Sequence, residues 1–210
     1  MMEFLHAAEK LKNELRHAYK SNGLRESVAE HSWRLCLMTM VSAEDIEDID
    51  RDKCLKMALI HDLPEILAGD AYRLDLSKQE GRHEIEKAAL GKLVKLLPKG
   101  AAREITDLWL EFEEGITMEA RLVKLIDRLE VLIQHNEADV SNWNDLEKEI
   151  QYGLAEKHAE RYGFLLEFAL EIDEETKKKL TKAGYHPKKL GQEVYERYYG
   201  QLDVVGKSRP

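Results

Sequence analysis

Apolar residues open the chain at Phe4, Ala8, Leu11, Leu15 and Ala18, the i, i+4, i+7, i+11, i+14 spacing of one helical face. Asn22-Gly23 is a turn signal that ends this first predicted helix. Ser27, with Glu30 three residues on, has capping-box spacing and predicts a second helix from Val28 to about residue 43. The acidic stretch 44–50 reads as a loop, with Asp50 as the N-cap of a third helix that turns Leu55, Ala58 and Leu59 inward. That helix should break at His61-Asp62-Leu63. Pro64 drives Leu63 off helical dihedrals and suits the first turn of a new helix.

Residues 69–77 read as a loop. Ser77 and Glu80 repeat the capping-box spacing, and Ile85, Ala88, Ala89, Leu93, Leu96 and Leu97 describe a helix ending at Pro98-Lys99-Gly100. Further helices are predicted over 101–112, 118–139, 146–170 (with a break at Gly153) and 192–199. No segment alternates with strand period and no internal repeat is visible. The expected fold class is all-α, as a single domain over 1–210.

Composition sharpens this picture. The chain has 12 glycines and 4 prolines in 210 residues with 35% charged positions, a pattern of helices with solvated outer faces. At 43% hydrophobic it can bury a real core. A net charge of −9 argues against a nonspecific binder of nucleic-acid polymers or anionic membranes, which depends on excess Lys and Arg. A small phosphorylated ligand stays open, because one metal ion or one Arg reverses the field locally. Cys36 and Cys54 lie in apolar helical contexts and read as buried free thiols. No stretch approaches the roughly 20 apolar residues of a membrane span. The charged first twenty positions lack a signal-peptide core, so the expectation is a soluble, cytoplasmic chain.

His31, the pair His61-Asp62, and Asp127 stand out chemically. Singly, each histidine has an ordinary reading as a hydrogen-bonded residue. Asp127 is the exception. It lies beside Val123 at the edge of an apolar arc formed by Leu122, Leu125, Ile126, Leu129, Leu132 and Ile133, where a carboxylate needs a partner. Two imidazoles and two carboxylates around one divalent cation would satisfy that need, and mixed N/O ligands suit Mn, Fe, Co, Ni or Zn rather than Ca. Adjacent His61 and Asp62 can reach one ion only where their helix ends, and Pro64 supplies that end.

Three segments, Arg25-Glu26-Ser27-Val28-Ala29-Glu30-His31-Ser32-Trp33-Arg34-Leu35, Leu59-Ile60-His61-Asp62-Leu63-Pro64-Glu65 with Gly69-Asp70, and Lys124-Leu125-Ile126-Asp127-Arg128-Leu129-Glu130, together resemble the HD-domain phosphohydrolases. Among these the chain is most similar to the small 5′-deoxynucleotidases, over about residues 4–137. The resemblance implies a helical HD-domain bundle with its metal site in the core. The motif-bearing part would span about 4–140, and 141–210 would add C-terminal helices.

It also implies roles. His31, His61, Asp62 and Asp127 take the metal-ligand positions. Glu65 takes the position of a catalytic Glu, and Asp70 that of a second pocket acid. Arg16 takes the position of a phosphate-contacting Arg. His17 stands where characterised deoxynucleotidases have a Trp that crowds the sugar 2′ position, which loosens the expected preference for deoxyribose. The implied activity is hydrolysis of nucleoside 5′-monophosphates with one divalent transition metal, or Mg. Only His83 lies between the His-Asp pair and Asp127, which favours one metal over the two of related cyclic-nucleotide phosphodiesterases. Ile66 follows Glu65 where guanosine tetraphosphate hydrolases carry an acid, which disfavours that activity. Kinship alone adds the expectation of a homodimer. A hydrolase of another small substrate on this scaffold, or a helical regulatory module that keeps the metal without turnover, are the competing readings.

The remaining polar and aromatic residues have plainer expectations. Trp33, Trp109 and Trp143 should pack. His6, His83, His135, His158 and His186 read as surface histidines. Tyr195, Tyr198 and Tyr199 should dock the last helix on the body or on a second subunit. Lys177, Lys178, Lys179, Lys182, Lys188 and Lys189 form a solvated basic face. Glu130 and Gln134 share Asp127's side of the helix, either supporting the ligands or facing solvent.

Overall fold

The computed structural model describes residues 1–44 and 46–200; positions 201–210, counted above with the C-terminal helices, lie outside the described residues. Helices dominate and fall into two compact units, one of residues 1–17 and 25–123, the other of 18–24 and 124 onward. No helix among the described residues is long and apolar enough to cross a membrane.

The first predicted helix needs correction. Helix α1 covers only Met2–Ala8, a 3-10 turn follows over Glu9–Lys12, and the chain then enters strand β1, Leu15–Tyr19. That strand pairs with β2, Arg25–Ser27. Asn22-Gly23 forms the hairpin turn, with Gly23 at φ 81° and the Lys20 amide donating to the Leu24 carbonyl at 2.7 Å. Helical spacing misled here because Leu15 is exposed and Arg25 holds the β1 backbone instead. Its guanidinium donates to the carbonyls of Arg16 at 2.6 Å and Leu15 at 2.8 Å. The all-α class stands, with one short hairpin added.

Helix α2, Val28–Ser42, starts at the capping box as read: the Glu30 amide donates to Ser27 Oγ at 3.2 Å, and the Ser27 amide donates to Glu30 at 2.8 Å. Helix α3, Arg51–Ile60, starts at Asp50, which accepts from the Lys53 amide at 3.0 Å. Its buried arc is Cys54, Met57 and Ala58; Leu59, expected inside, lies one position off that arc and is exposed. The ladder then tightens. The His61 amide still reaches Met57 four residues back, but Leu63, Glu65 and Ile66 each donate three residues back. Helix α4, Glu65–Ala68, follows Pro64 directly.

The second predicted capping box does not form. Ser77 donates its hydroxyl to Asp75 at 2.6 Å, and α5, Arg82–Leu93, begins after Gly81 at φ 68°. Helix α6 covers Lys99–Glu114. Val28, Ile60, Leu63, Ile66, Leu90, Leu93 and Trp109 make the core of this unit. Trp109 and Trp143 are buried as expected, whereas Trp33 is 67% exposed on α2.

Helix α7, Met118–Glu137, runs unbroken from the first unit's last residues into the second. The predicted helix 146–170 is three helices: α8, Asp145–Ile150, α9, Leu154–Tyr162, and α10, Leu166–Lys182. Gly153 must be glycine, since φ is 92° and a Cβ there would lie 2.8 Å from Lys189 Cγ and 3.0 Å from the Leu190 amide. Helix α11, Gln192–Tyr199, matches its expected bounds and buries Tyr195 and Tyr199.

Two histidines are not surface residues. His135 Nδ1 meets Gln151 Oε1 at 2.8 Å, and His158 Nδ1 meets the Tyr195 hydroxyl at 3.1 Å, both buried. Buried polar groups require such partners, which sequence spacing does not reveal.

Asp173 on α10 caps α9 from the side. Its carboxylate accepts from the amides of Gly153 at 3.1 Å, Ala155 at 3.2 Å and Glu156 at 2.9 Å. Burial nevertheless pushes its carboxyl up to about 6. The folded chain then holds more protons than the unfolded chain between about pH 4 and 6, so this group's contribution falls as pH rises through that window. Comparing Asp173→Asn with the parent by urea unfolding should move the stability difference toward Asn by roughly 2–3 kcal/mol from pH 4 to pH 7. A pH-independent difference would contradict this.

Candidate metal centre

The first unit brings together most of the residues singled out from the sequence. Strand β1 carries Arg16 and His17, β2 carries Glu26, and α2 carries His31 one turn after its capping box. His61 and Asp62 occupy the tightened end of α3, Glu65 opens α4, and Asp70 follows the Gly69 turn at φ 74°. Because the ladder leaves its four-residue step here, the neighbouring side chains of His61 and Asp62 approach each other.

One atom organises the geometry. Asp62 Oδ2 lies 3.1 Å from His61 Nε2, 3.8 Å from His31 Nε2 and 3.3 Å from Arg16 Nη1. The two imidazole rings are 5.5 Å apart, and His31 is fully buried. His61 Nδ1 lies 2.9 Å from the Ala58 carbonyl, which only accepts, so Nδ1 carries a hydrogen and Nε2 is the nitrogen turned toward Asp62. With metal–ligand bonds of about 2.0–2.2 Å, neighbouring ligand atoms stand about 3.0–3.5 Å apart, close to the spacing observed. The donor set of imidazole nitrogens and a carboxylate therefore fits a divalent transition ion.

The surroundings of these residues are built from α6 and β2. Trp109 Nε1 donates to the His61 carbonyl at 3.2 Å, and the Phe112 ring meets the His61 ring edge-on at 5.3 Å. His83, expected on the surface, stacks on Trp109 and meets Glu113 at 2.8 Å. Glu26, buried on β2, lies 3.4 Å from Arg16 Nε. Sequence reasoning passed over Glu26, although it sits inside the quoted motif beside the capping Ser27. Trp109 carried no such signal, because its role depends on α6 packing against α3.

The acids have separated environments. Burial alone would raise the Asp62 carboxyl, but His61, His31 and Arg16 outweigh it and hold it below the usual range. Burial raises Glu65 well above its ordinary value, and the charges of Asp62 and Asp70 add to that. Burial also raises Asp70, against the pull of Arg16. One carboxyl held down beside one pushed up is a pairing suited to acid–base chemistry. The Asp70 amide is fixed by Glu14, which accepts from it at 3.0 Å.

His17 lies against the ring of Tyr72, with centroids 4.0 Å apart. Asp127 is half-buried on α7, one turn after the fully buried Val123 on the same unbroken helix. Glu130 and Gln134 are both buried rather than solvent-facing, and Gln134 donates to the Tyr19 carbonyl at 2.8 Å.

An HD-domain family model matches residues 8–163. The human 5′-deoxynucleotidase HDDC2 is 32% identical over 149 residues, covering 70% of this chain and 70% of that protein. The Xenopus laevis protein of the same name is 38% identical over 109 residues, and the match spans about half of it, 53%. The crystal structure of a "predicted metal-dependent phosphohydrolase" from Magnetospirillum magnetotacticum superposes with a TM-score of 0.75 at 28% identity, covering 89% of this chain and 94% of that one. The matched stretch contains every motif on which the metal centre was built, and the chain belongs to the HD-domain family.

Proposed function

We propose that this chain is a metal-dependent phosphomonoesterase that hydrolyses nucleoside 5′-monophosphates to nucleoside and phosphate. The observation that carries the reading is the convergence of two imidazole Nε2 atoms and Arg16 on Asp62 Oδ2, beside the buried carboxyl of Glu65. The names of the similar proteins, 5′-deoxynucleotidase and metal-dependent phosphohydrolase, support the substrate class.

His31, His61, Asp62 and Asp127 are the proposed ligands, the first three from the geometry of the first unit and Asp127 from the motif on α7. A divalent ion held there, Mn, Co, Fe, Ni, Zn or Mg, supplies Lewis acidity toward phosphoryl oxygens and makes water acidic enough to attack near neutral pH. Arg16 is held between Glu26, 3.4 Å from its Nε, and Asp62, 3.3 Å from its Nη1, which sets its guanidinium beside the proposed ligands to contact phosphoryl oxygens. Glu65 gives its proton to the departing 5′ oxygen as the P–O bond breaks and the water oxygen joins phosphorus. Asp70 keeps a second negative charge near Glu65, which favours the protonated acid. His17 and Tyr72 form the wall of the sugar subsite, and the imidazole is small enough to admit a 2′ hydroxyl.

Phosphate release from matched ribo- and deoxyribonucleoside 5′-monophosphates, with Mn or Co and with a chelator control, tests this reading. Metal-dependent release from both sugar series is expected. No release from any nucleotide, with metal bound to the protein, would leave the regulatory-module reading standing.

A further inference from the structure

We propose that Arg82, the first residue of α5, is a positioning residue that aims Glu65 and Asp70 at the metal centre. The inference rests on the phosphomonoesterase reading of those two acids. Helix α4 is a single turn, and a helix that short leaves its terminal carbonyls without intrahelical donors. Arg82 supplies them. Its Nη2 donates to the Gly69 carbonyl, and its Nη1 reaches the Ala68 carbonyl at 3.4 Å. The same Nη2 lies 3.8 Å from Glu65 Oε1, at the opposite end of the turn.

The guanidinium is itself held. Its Nε donates to Glu86, one turn further along α5, and the Arg82 side chain is only 15% exposed. Glu14 grips the Asp70 amide, so the segment from Glu65 to Asp70 is fixed on its carbonyls by Arg82 and on its amide by Glu14. The geometry uses the planar fork of arginine. One edge faces Glu86 and the other faces two carbonyls and a carboxylate, a set that a lysine ammonium at the same position does not span. The charge also matters, because Arg82 offsets part of the burial penalty on Asp70.

The test compares Arg82→Gln and Arg82→Lys with the parent, each loaded with Mn, under saturating nucleoside monophosphate. Arg82→Gln should lower kcat by roughly 10–100-fold with KM and bound metal nearly unchanged, the size typical of a lost partner behind a site. Arg82→Lys, which retains the charge and is the variant to read if the Gln form does not fold, should recover only part of that loss. In the Glu65→Gln background Arg82→Gln should add little, since its effect passes through Glu65. An unchanged kcat, or full additivity of the two substitutions, overturns the proposal.

If the parent hydrolyses no phosphomonoester, the functional reading fails on its own. Arg82 is then read from amide exchange: faster exchange confined to 65–70 in Arg82→Gln supports the positioning role, and unchanged exchange there refutes it.

Discussion

Asp62→Ala is expected to abolish both metal retention and turnover, with metal affinity falling roughly 10³-fold or more. Three nitrogens meet on Asp62 Oδ2, so deleting that carboxylate removes the anion that all three share. A 10³-fold loss is about 4 kcal/mol, the same size as the roughly 3–5 kcal/mol by which removing one partner of a buried charge pair destabilises a fold. Asp62→Asn separates charge from shape. It keeps the volume and one oxygen but offers no anion to Arg16 or to a cation, and it should lose metal nearly as completely. Elemental analysis of the purified variants, beside phosphate release, reads both effects. Retention of a full equivalent of metal by Asp62→Ala would contradict the assignment of this residue as a ligand.

Glu65→Gln should have a different signature: metal kept, KM little changed, and kcat lower by about 10²–10⁴-fold, the range for a lost general acid. Gln matches the volume of the buried Glu65 but cannot surrender a proton. Because burial and the neighbouring Asp62 and Asp70 raise the Glu65 carboxyl, the proton-bearing form persists to higher pH than an ordinary carboxyl allows. Parent kcat should therefore hold below the raised value and decline above it, and the Gln variant should lack that limb. Full turnover in Glu65→Gln would remove this residue from the chemistry. The two variants together distinguish a residue that holds the ion from one that moves the proton.

Much of the local structure was legible because it depends on neighbours in sequence. Ser27 with Glu30, Asp50, and Pro64 after Leu63 each act within one helical turn, and each delimits a helix where its chemistry requires. The first helix failed for the opposite reason. Leu15 and Ala18 continue a helical spacing, yet Arg25, from across the hairpin, captures the β1 carbonyls and selects extended backbone. The break at Gly163 and the buried pairs His135–Gln151 and His158–Tyr195 were equally hidden. A hydrogen-bond partner many residues away has no period to betray it.

The linear chain singled out the candidates: two imidazoles and an adjacent carboxylate at a helix end from their own spacing, and an acid three residues later from resemblance to a known family. Their identities and spacing are properties of the polypeptide and need no packing to be read. Folding decided how they are used. The proton on His61 Nδ1 follows from one carbonyl at 2.9 Å, and Asp62 separates from Glu65 because His61, His31 and Arg16 outweigh burial at the first while burial and two neighbouring acids prevail at the second. Desolvation and partner geometry act through space, so they exist only once α3, α4 and the hairpin have closed around the same few ångströms.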